Sequence, residues 1–121
     1  MSPEEVVRAE LEAWSRLDLE EIMSHFASDA VWEPEPNKVV SGSDEIRDAV
    51  SGYLRHMTRG DIEIVNLAVS DNVVLTERVD RFVVAGESFE PRIMGAFETT
   101  GDRIAAWRDY FVPPGWGPIS T

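Results

Sequence analysis

Along the first half of the chain, apolar residues return every three or four positions. Val6, Val7, Ala9, Leu11, Trp14 and Leu17 fall on one stripe, and that spacing predicts an amphipathic helix. Its start is marked by Ser2, by Pro3 at the first helical position and by Glu5 three residues after the serine, the signature of a capping box. Asp18 followed by Glu21 repeats the signature ahead of a shorter helix carrying Ile22, Met23 and Phe26. A short strand is read over residues 29–32, stopped by Pro34 and Pro36. Ser41-Gly42-Ser43 reads as a turn and N-cap, leading into a third helix with Ile46, Ala49, Val50, Tyr53, Leu54 and Met57 along its apolar stripe.

From Gly60 the period changes to two. Strands are predicted over residues 62–69, 73–84, 88–98 and 103–111, joined by the hairpin turns Ser70-Asp71-Asn72, Ala85-Gly86-Glu87 and Thr100-Gly101-Asp102. The order of elements is α–α–β–α–β–β–β–β. It predicts an α+β fold in which a strongly curved, mainly antiparallel sheet wraps around the helices and leaves a pocket between the two layers. Residues 113–118 are rich in proline and glycine and predict irregular chain lying over a surface or a pocket mouth, with Trp116 as a lid or subunit contact. With 121 residues, no internal repeat and no linker, one domain over residues 1–121 is expected.

Composition narrows the function. Hydrophobic residues make up 43% of the chain and include four tryptophans and five phenylalanines, enough to build a core and to exclude a disordered chain. No apolar run exceeds a few residues, far short of the roughly 20 that span a bilayer. The N-terminus lacks a basic and apolar leader, so a cytoplasmic location is expected. The net charge of −12 disfavours nucleic acid and anionic membrane surfaces as partners and leaves an uncharged substrate unopposed. There is no cysteine, which removes thiolate chemistry and disulfides, and the two histidines are isolated, so no metal site is expected. His25 and His56 both fall near helix C-termini and are read as capping residues.

Candidate chemistry lies in the strands. On residues 73–84 one face carries Val73, Leu75, Glu77, Val79, Arg81 and Val83, and the other Val74, Thr76, Arg78, Asp80 and Phe82. On the last strand, Ala105, Trp107, Asp109 and Phe111 alternate with Ile104, Ala106, Arg108 and Tyr110. Asp109 therefore stands between two aromatic residues, where a carboxylate is unfavourable unless paired. If Arg78 and Asp80 face the same interior, one guanidinium bridges two carboxylates. Such a trio suits simultaneous acid and base catalysis, one aspartate ionised beside the cation and the other protonated. A structural ion-pair cluster, or an exposed strip of charge on an edge strand, accounts for the same spacing better, because charged alternation on strands is common.

Thr76-Glu77-Arg78-Val79-Asp80, with Trp107-Arg108-Asp109-Tyr110-Phe111 about thirty residues further on, resembles the paired motifs of the limonene-1,2-epoxide hydrolase family. That family belongs to the NTF2-like/SnoaL-like superfamily of cone-shaped α+β folds. Ile93-Met94-Gly95-Ala96-Phe97, Phe26-Ala27-Ser28-Asp29-Ala30 and the helix start at Ser41-Gly42-Ser43-Asp44-Glu45-Ile46 fit the same pattern. The resemblance implies Asp109 as the base that activates water, Asp80 as the acid, and Arg78 as the group that holds both and helps bind substrate. It implies no cofactor. The family's water-holding tyrosine and asparagine correspond here to Trp32 and Pro34, which leaves Glu33, Asn37 or Tyr53 as candidate anchors. Trp32, Tyr53, Phe82, Met94 and Trp107 are the residues expected to line a small apolar epoxide or polyketide-like substrate. The same resemblance admits a SnoaL-like cyclase or isomerase, or a non-catalytic small-molecule-binding domain. A homodimer is expected through the outer sheet face, where Leu75, Val79, Val83 and Ile104 would otherwise be bare.

Overall fold

The first helix begins where its capping signature falls. The Ser2 hydroxyl accepts from the Glu5 backbone N–H at 3.2 Å, and the Glu5 carboxylate accepts from the Ser2 N–H at 2.9 Å. A computed structural model describes residues 1–112; the expectations for residues 113–118 and for Trp116 lie outside them. The elements are α1 (Pro3–Ser15), α2 (Leu19–Ser24), β1 (Phe26–Glu35), β2 (Lys38–Ser41), α3 (Ser43–Leu54), β3 (Met57–Ser70), β4 (Val73–Val84), β5 (Glu87–Phe89), β6 (Arg92–Thr100) and β7 (Arg103–Tyr110). Asp18 caps α2 by accepting from the Glu21 N–H at 3.1 Å. The N-cap of α3 is Gly42, at φ 85°, a left-handed backbone open to glycine, and no serine side chain caps this helix.

The strands form one curved, unclosed sheet in the order β2-β1-β7-β6-β4-β3, with β5 beside the far end of β4. The β1–β7 pairing is parallel and the remaining pairings are antiparallel. The apolar stripes of the helices pack onto the concave side, where Val6, Leu11, Trp14, Ile22, Ile46 and Val50 meet Trp32, Phe97 and Trp107. This is the cone-shaped α+β architecture that the alternation of elements predicts.

Several boundaries differ from those expected, each for a physical reason. β1 continues through Pro34, because its pairing with β7 ends at Glu33 and its ladder with β2 skips from Trp32 to Glu35, so no ladder bond needs the missing N–H. β2 follows from a tight turn in which Asn37 adopts φ 69°. Phe26 opens β1 and Met57 opens β3, so the last residue of each expected helical stripe lies beyond its helix. Pro91 divides the expected 88–98 strand. β5 pairs with Phe82–Val84 and β6 with Val73–Val79, and at the break the Pro91 carbonyl accepts from the Asp80 N–H at 3.1 Å.

A bulge corrects one further reading. Ile104 pairs with Thr99 and Ala106 with Glu98, so Ala105 is the extra residue. The bulge turns Ile104 inward beside Trp107 and Asp109, where it is fully buried and not on the outer face. The helix-end histidines also act differently from expectation. Burial lowers the pKa of His25 against the opposing pull of Glu21, which disfavours a charged imidazole at the C-cap of α2. Arg55 and not His56 is the C-cap of α3.

Candidate active site

Alternation along β4 turns Val74, Thr76, Arg78 and Asp80 to the concave side, and all four are buried. β7 contributes Trp107 and Asp109 to the same side. Between them runs β6, in a register that sets Gly95 opposite Thr76 on one flank and opposite Asp109 on the other. Arg78 reaches Asp109 by lying across Gly95. A Cβ at that position would stand 2.3 Å from Arg78 Nη1, 2.8 Å from Asp109 Oδ1 and 2.9 Å from Thr76 Oγ1. Only a residue without a side chain lets the guanidinium cross the strand.

Every N–H of that guanidinium is used. Nε donates to Asp80 Oδ1 at 3.1 Å, and Nη2 donates to Asp80 Oδ2 and Asp109 Oδ2, both at 2.9 Å. Nη1 donates to Thr76 Oγ1 at 3.0 Å and to Asp109 Oδ1 at 3.1 Å. Five donors meet five acceptors, so Arg78 holds both carboxylates and retains no proton for a substrate. This narrows the role expected of it to that of a clamp. The Trp107 indole N–H donates to Asp109 Oδ1 at 2.8 Å, which leaves Oδ2 with a single bond and a lone pair to spare.

The electrostatics follow from burial. With both aspartates ionised the trio would carry a net negative charge in a shell of aromatic rings, an unfavourable arrangement. Burial pushes the Asp109 pKa above the ordinary carboxylate range. Arg78 and the Trp107 N–H pull it back, and Asp80 adds to the rise. Burial alone would disfavour the Arg78 charge, but Asp109 and Asp80 outweigh it and hold its pKa above the usual guanidinium value. A cation fixed between two carboxyl groups thus opposes, without cancelling, the effect of burial on Asp109.

The walls are aromatic. Trp32 is buried, its ring 5.7 Å from that of Trp107, and Trp14 lies 5.8 Å from Trp32. Tyr53, from α3, meets Trp32 edge-on at 5.9 Å. Its hydroxyl donates to Glu35 and accepts from Lys38 Nζ at 3.2 Å. Burial and the nearby carboxylates of Glu35 and Asp109 raise the Tyr53 pKa, so the phenol stays protonated. Phe82 follows Asp80 on the same face of β4 and is half-buried at the strand end, paired in register with Phe89.

Met94 does not belong to these walls. It stands between the inward residues Ile93 and Gly95 and is 51% exposed on the outer face. Glu33 accepts from the Asn37 N–H at 3.2 Å within the β1–β2 hairpin, and Asn37 is exposed. Three residues enter to which the sequence reading assigns no role, although Thr76 and Gly95 lie inside its motifs. Thr76 and Gly95 complete the seat of Arg78, and a glycine inside a strand was the available signal for the latter. Glu10, on α1, is fully buried with neither carboxylate oxygen bonded among the described residues. Burial drives its pKa well above the usual carboxylate value, against the pull of the Trp14 N–H one turn on. Among the described residues, no group of three His, Asp or Glu side chains gathers to hold a metal ion, and no helix is long and apolar enough to cross a membrane.

Residues 1–113 match the model of the limonene-1,2-epoxide hydrolase catalytic domain. The chain belongs to that family. Solved structures agree on the fold. An LEH-like epoxide hydrolase from M. tuberculosis superposes with a TM-score of 0.81 at 24% identity, covering 89% of this chain and 80% of that one. A protein of ketosteroid isomerase-like fold from Catenulispora acidiphila, in complex with trimethylamine, gives 0.80 at 19% identity over 98% and 100% of the two chains. A candidate SnoaL-like polyketide cyclase from Shewanella denitrificans gives 0.83 at 10% identity over 91% and 90%. These three share the NTF2-like/SnoaL-like architecture with the limonene-1,2-epoxide hydrolase domain described here.

Proposed function

We propose that this member of the limonene-1,2-epoxide hydrolase family opens a small apolar epoxide to a vicinal diol by concerted acid–base catalysis that needs no cofactor. The observation that carries the reading is the pair of aspartates held on one guanidinium inside an aromatic shell. Asp109 is the base. Its raised pKa makes it a stronger proton acceptor than an ordinary carboxylate, and its free Oδ2 lone pair faces no protein donor among the described residues. Asp80 is the acid that delivers a proton to the oxirane oxygen as the ring opens. Arg78 fixes the separation of the two and spreads the charge that moves between them. Trp32, Tyr53, Phe82 and Trp107 supply the apolar wall for the substrate.

A module that only binds would have little use for this trio, since a buried ion pair is often no more stabilising than apolar residues of the same volume. Asp109→Asn keeps the shape and removes the base; its one oxygen can still accept from Arg78 and Trp107, while the amide NH2 gives up the second Arg78 bond. On a panel of epoxides it is expected to lower kcat by about 10²–10⁴-fold while the melting temperature stays within a few degrees of wild type. Wild-type-like diol formation by the variant would defeat the assignment. A homodimer fits the outer sheet face, where Leu75, Met94 and Tyr110 are exposed beside a groove of about 490 Å³ that also touches Val65 and Val79.

A further inference from the structure

Asp80 and Asp109 are only 4% and 6% exposed, and Trp32 and Trp107 are buried as deeply. A substrate reaches Asp109 only if part of the surrounding wall moves. The register of β1 on β7 points to the part. Trp32 pairs with Trp107 and Glu33 with Arg108, so Pro34 is next in line beside Asp109. Tyr53, in the last turn of α3, sets its ring edge-on to Trp32 at 5.9 Å and places its hydroxyl on Glu35. The phenol therefore spans from Trp32 to Glu35, across the residue that flanks Asp109. Burial first, then Glu35 and the Asp109 carboxylate, raise its pKa, so it keeps its proton.

The β1–β2 hairpin that carries Glu35 is held differently at its base and at its tip. At the base, Val31 and Trp32 pair with Ser41 and Val40. There the Gly42 N–H also donates to the Ala30 carbonyl at 2.9 Å, and the Ser41 N–H to Glu45 Oε1 at 3.3 Å. Beyond Trp32 the ladder skips to a single pair, Glu35 with Lys38, and the pairing with β7 stops at Glu33. Pro34 has no N–H to give, and Asn37 turns the chain at φ 69°. Among the described residues, the hydrogen bonds that join this tip to α3 both run through Tyr53. Its hydroxyl donates to Glu35 and accepts from Lys38 Nζ at 3.2 Å, and the same ammonium stands 4.7 Å from the ring centre. The side chains of Glu35 and Lys38 are about half exposed, so water can take over these bonds when they part.

We propose that Tyr53, Glu35 and Lys38 form a clasp between α3 and the β1–β2 hairpin, and that its parting swings residues 33–39 away from Asp109 to admit substrate. The unpaired stretch at residues 33–34 is the hinge, and the bonded base of the hairpin stays in place. Closure returns the aromatic, water-poor surroundings in which the trio acts. The consequence for turnover rests on the acid–base reading of Asp109; the motion is measured without any epoxide, so the two fail separately.

Tyr53→Phe keeps the ring against Trp32 and removes the hydroxyl. Two measurements on the whole chain compare it with wild type: backbone hydrogen exchange, and coupling of Asp109 to glycinamide by a water-soluble carbodiimide, read by peptide mass. Amides of residues 33–40 are expected to exchange about tenfold faster in the variant, with those of residues 74–78 on β4 unchanged. Coupling at Asp109 is expected to speed up by a similar factor. Exchange that stays the same in the hairpin, or rises equally on β4, would overturn the clasp. Faster hairpin exchange with unchanged coupling would show that the opening does not lead to Asp109, and would overturn it as the entry. Lys38→Met, at an exposed side chain, gives a second reading should Tyr53→Phe fail to fold. It is expected to move both rates the same way by about two- to fivefold, and no change in either would also defeat the proposal.

Discussion

Gly95→Ala tests the arrangement of the whole site with one carbon atom. The added Cβ would stand 2.3 Å from Arg78 Nη1, about 1 Å inside van der Waals contact, and under 3.0 Å from both Thr76 Oγ1 and Asp109 Oδ1. Gly95 has ordinary strand backbone, so alanine meets no conformational penalty there and the contact alone sets the outcome. The guanidinium has no simple way to yield, because moving Nη1 by 1 Å breaks its bonds to Thr76 and Asp109. Overpacking costs about 1–3 kcal/mol and a bond to a charged group contributes about 1.5–3 kcal/mol, so a loss of about 2–4 kcal/mol is expected, with partial relaxation included. A displacement of that size at the base also costs about 10²-fold in rate. Thermal unfolding and epoxide turnover measure the two effects. Gly52→Ala is the control, since nothing lies within 4 Å of the Cβ position in the last turn of α3 and a gain of up to about 0.5–1 kcal/mol is expected. A Gly95→Ala protein with wild-type melting and turnover would show that Arg78 does not cross β6 at this point.

Arg78→Met leaves two buried carboxyls without their cation, and urea unfolding at neutral pH is expected to show a loss of about 3–5 kcal/mol that shrinks near pH 4, where the carboxyls protonate. The acid limb of kcat/KM is expected above the ordinary carboxylate range of about 4, because Asp109 must be ionised to act and burial raises its pKa; a limb below that range would count against Asp109 as the base. Glu10 has a folded-state pKa above its unfolded value, so its contribution to stability is present at low pH and lost as the pH rises through the folded value. Glu10→Gln, neutral throughout, is therefore expected to raise the melting temperature at pH 8 and to change it little at pH 4. Leu75→Glu on the exposed outer face is expected to shift a dimer to monomer in sedimentation equilibrium, and an unchanged mass would place any interface elsewhere.

What the chain discloses in advance is what period and capping control. The N-cap serine and aspartate signatures and the bounds of β4 follow from local chemistry and period, and alternation sets Arg78 with Asp80 on one face and Trp107 with Asp109 on another, but it does not say which faces turn inward. What alternation misplaces are the consequences of broken period. The bulge at Ala105 reverses Ile104, and proline at position 91 splits one expected strand in two. Met94 suits the pocket by its chemistry, yet its neighbour Gly95, small and apolar, is the inward residue. Pro34 reads as a stop because it lacks an N–H, yet a strand can carry proline wherever no neighbour asks for that donor. The seat of Arg78 over Gly95 depends on the register of three strands, which no single strand encodes.

A guanidinium whose five protons are all committed behaves as part of the scaffold, and this changes where selectivity in such a pocket can evolve. The charges form a closed unit that neither recruits anionic groups nor distinguishes one uncharged ring from another. Of the rings around it, Trp107 bonds to that unit and Phe97 on β6 stands with it over the guanidinium, while those of β1 and α3 make no bond to it. Exchanging the other rings reshapes the chamber without disturbing the proton chemistry. The charged trio can thus be inherited unchanged while the chamber around it is rewritten one wall at a time.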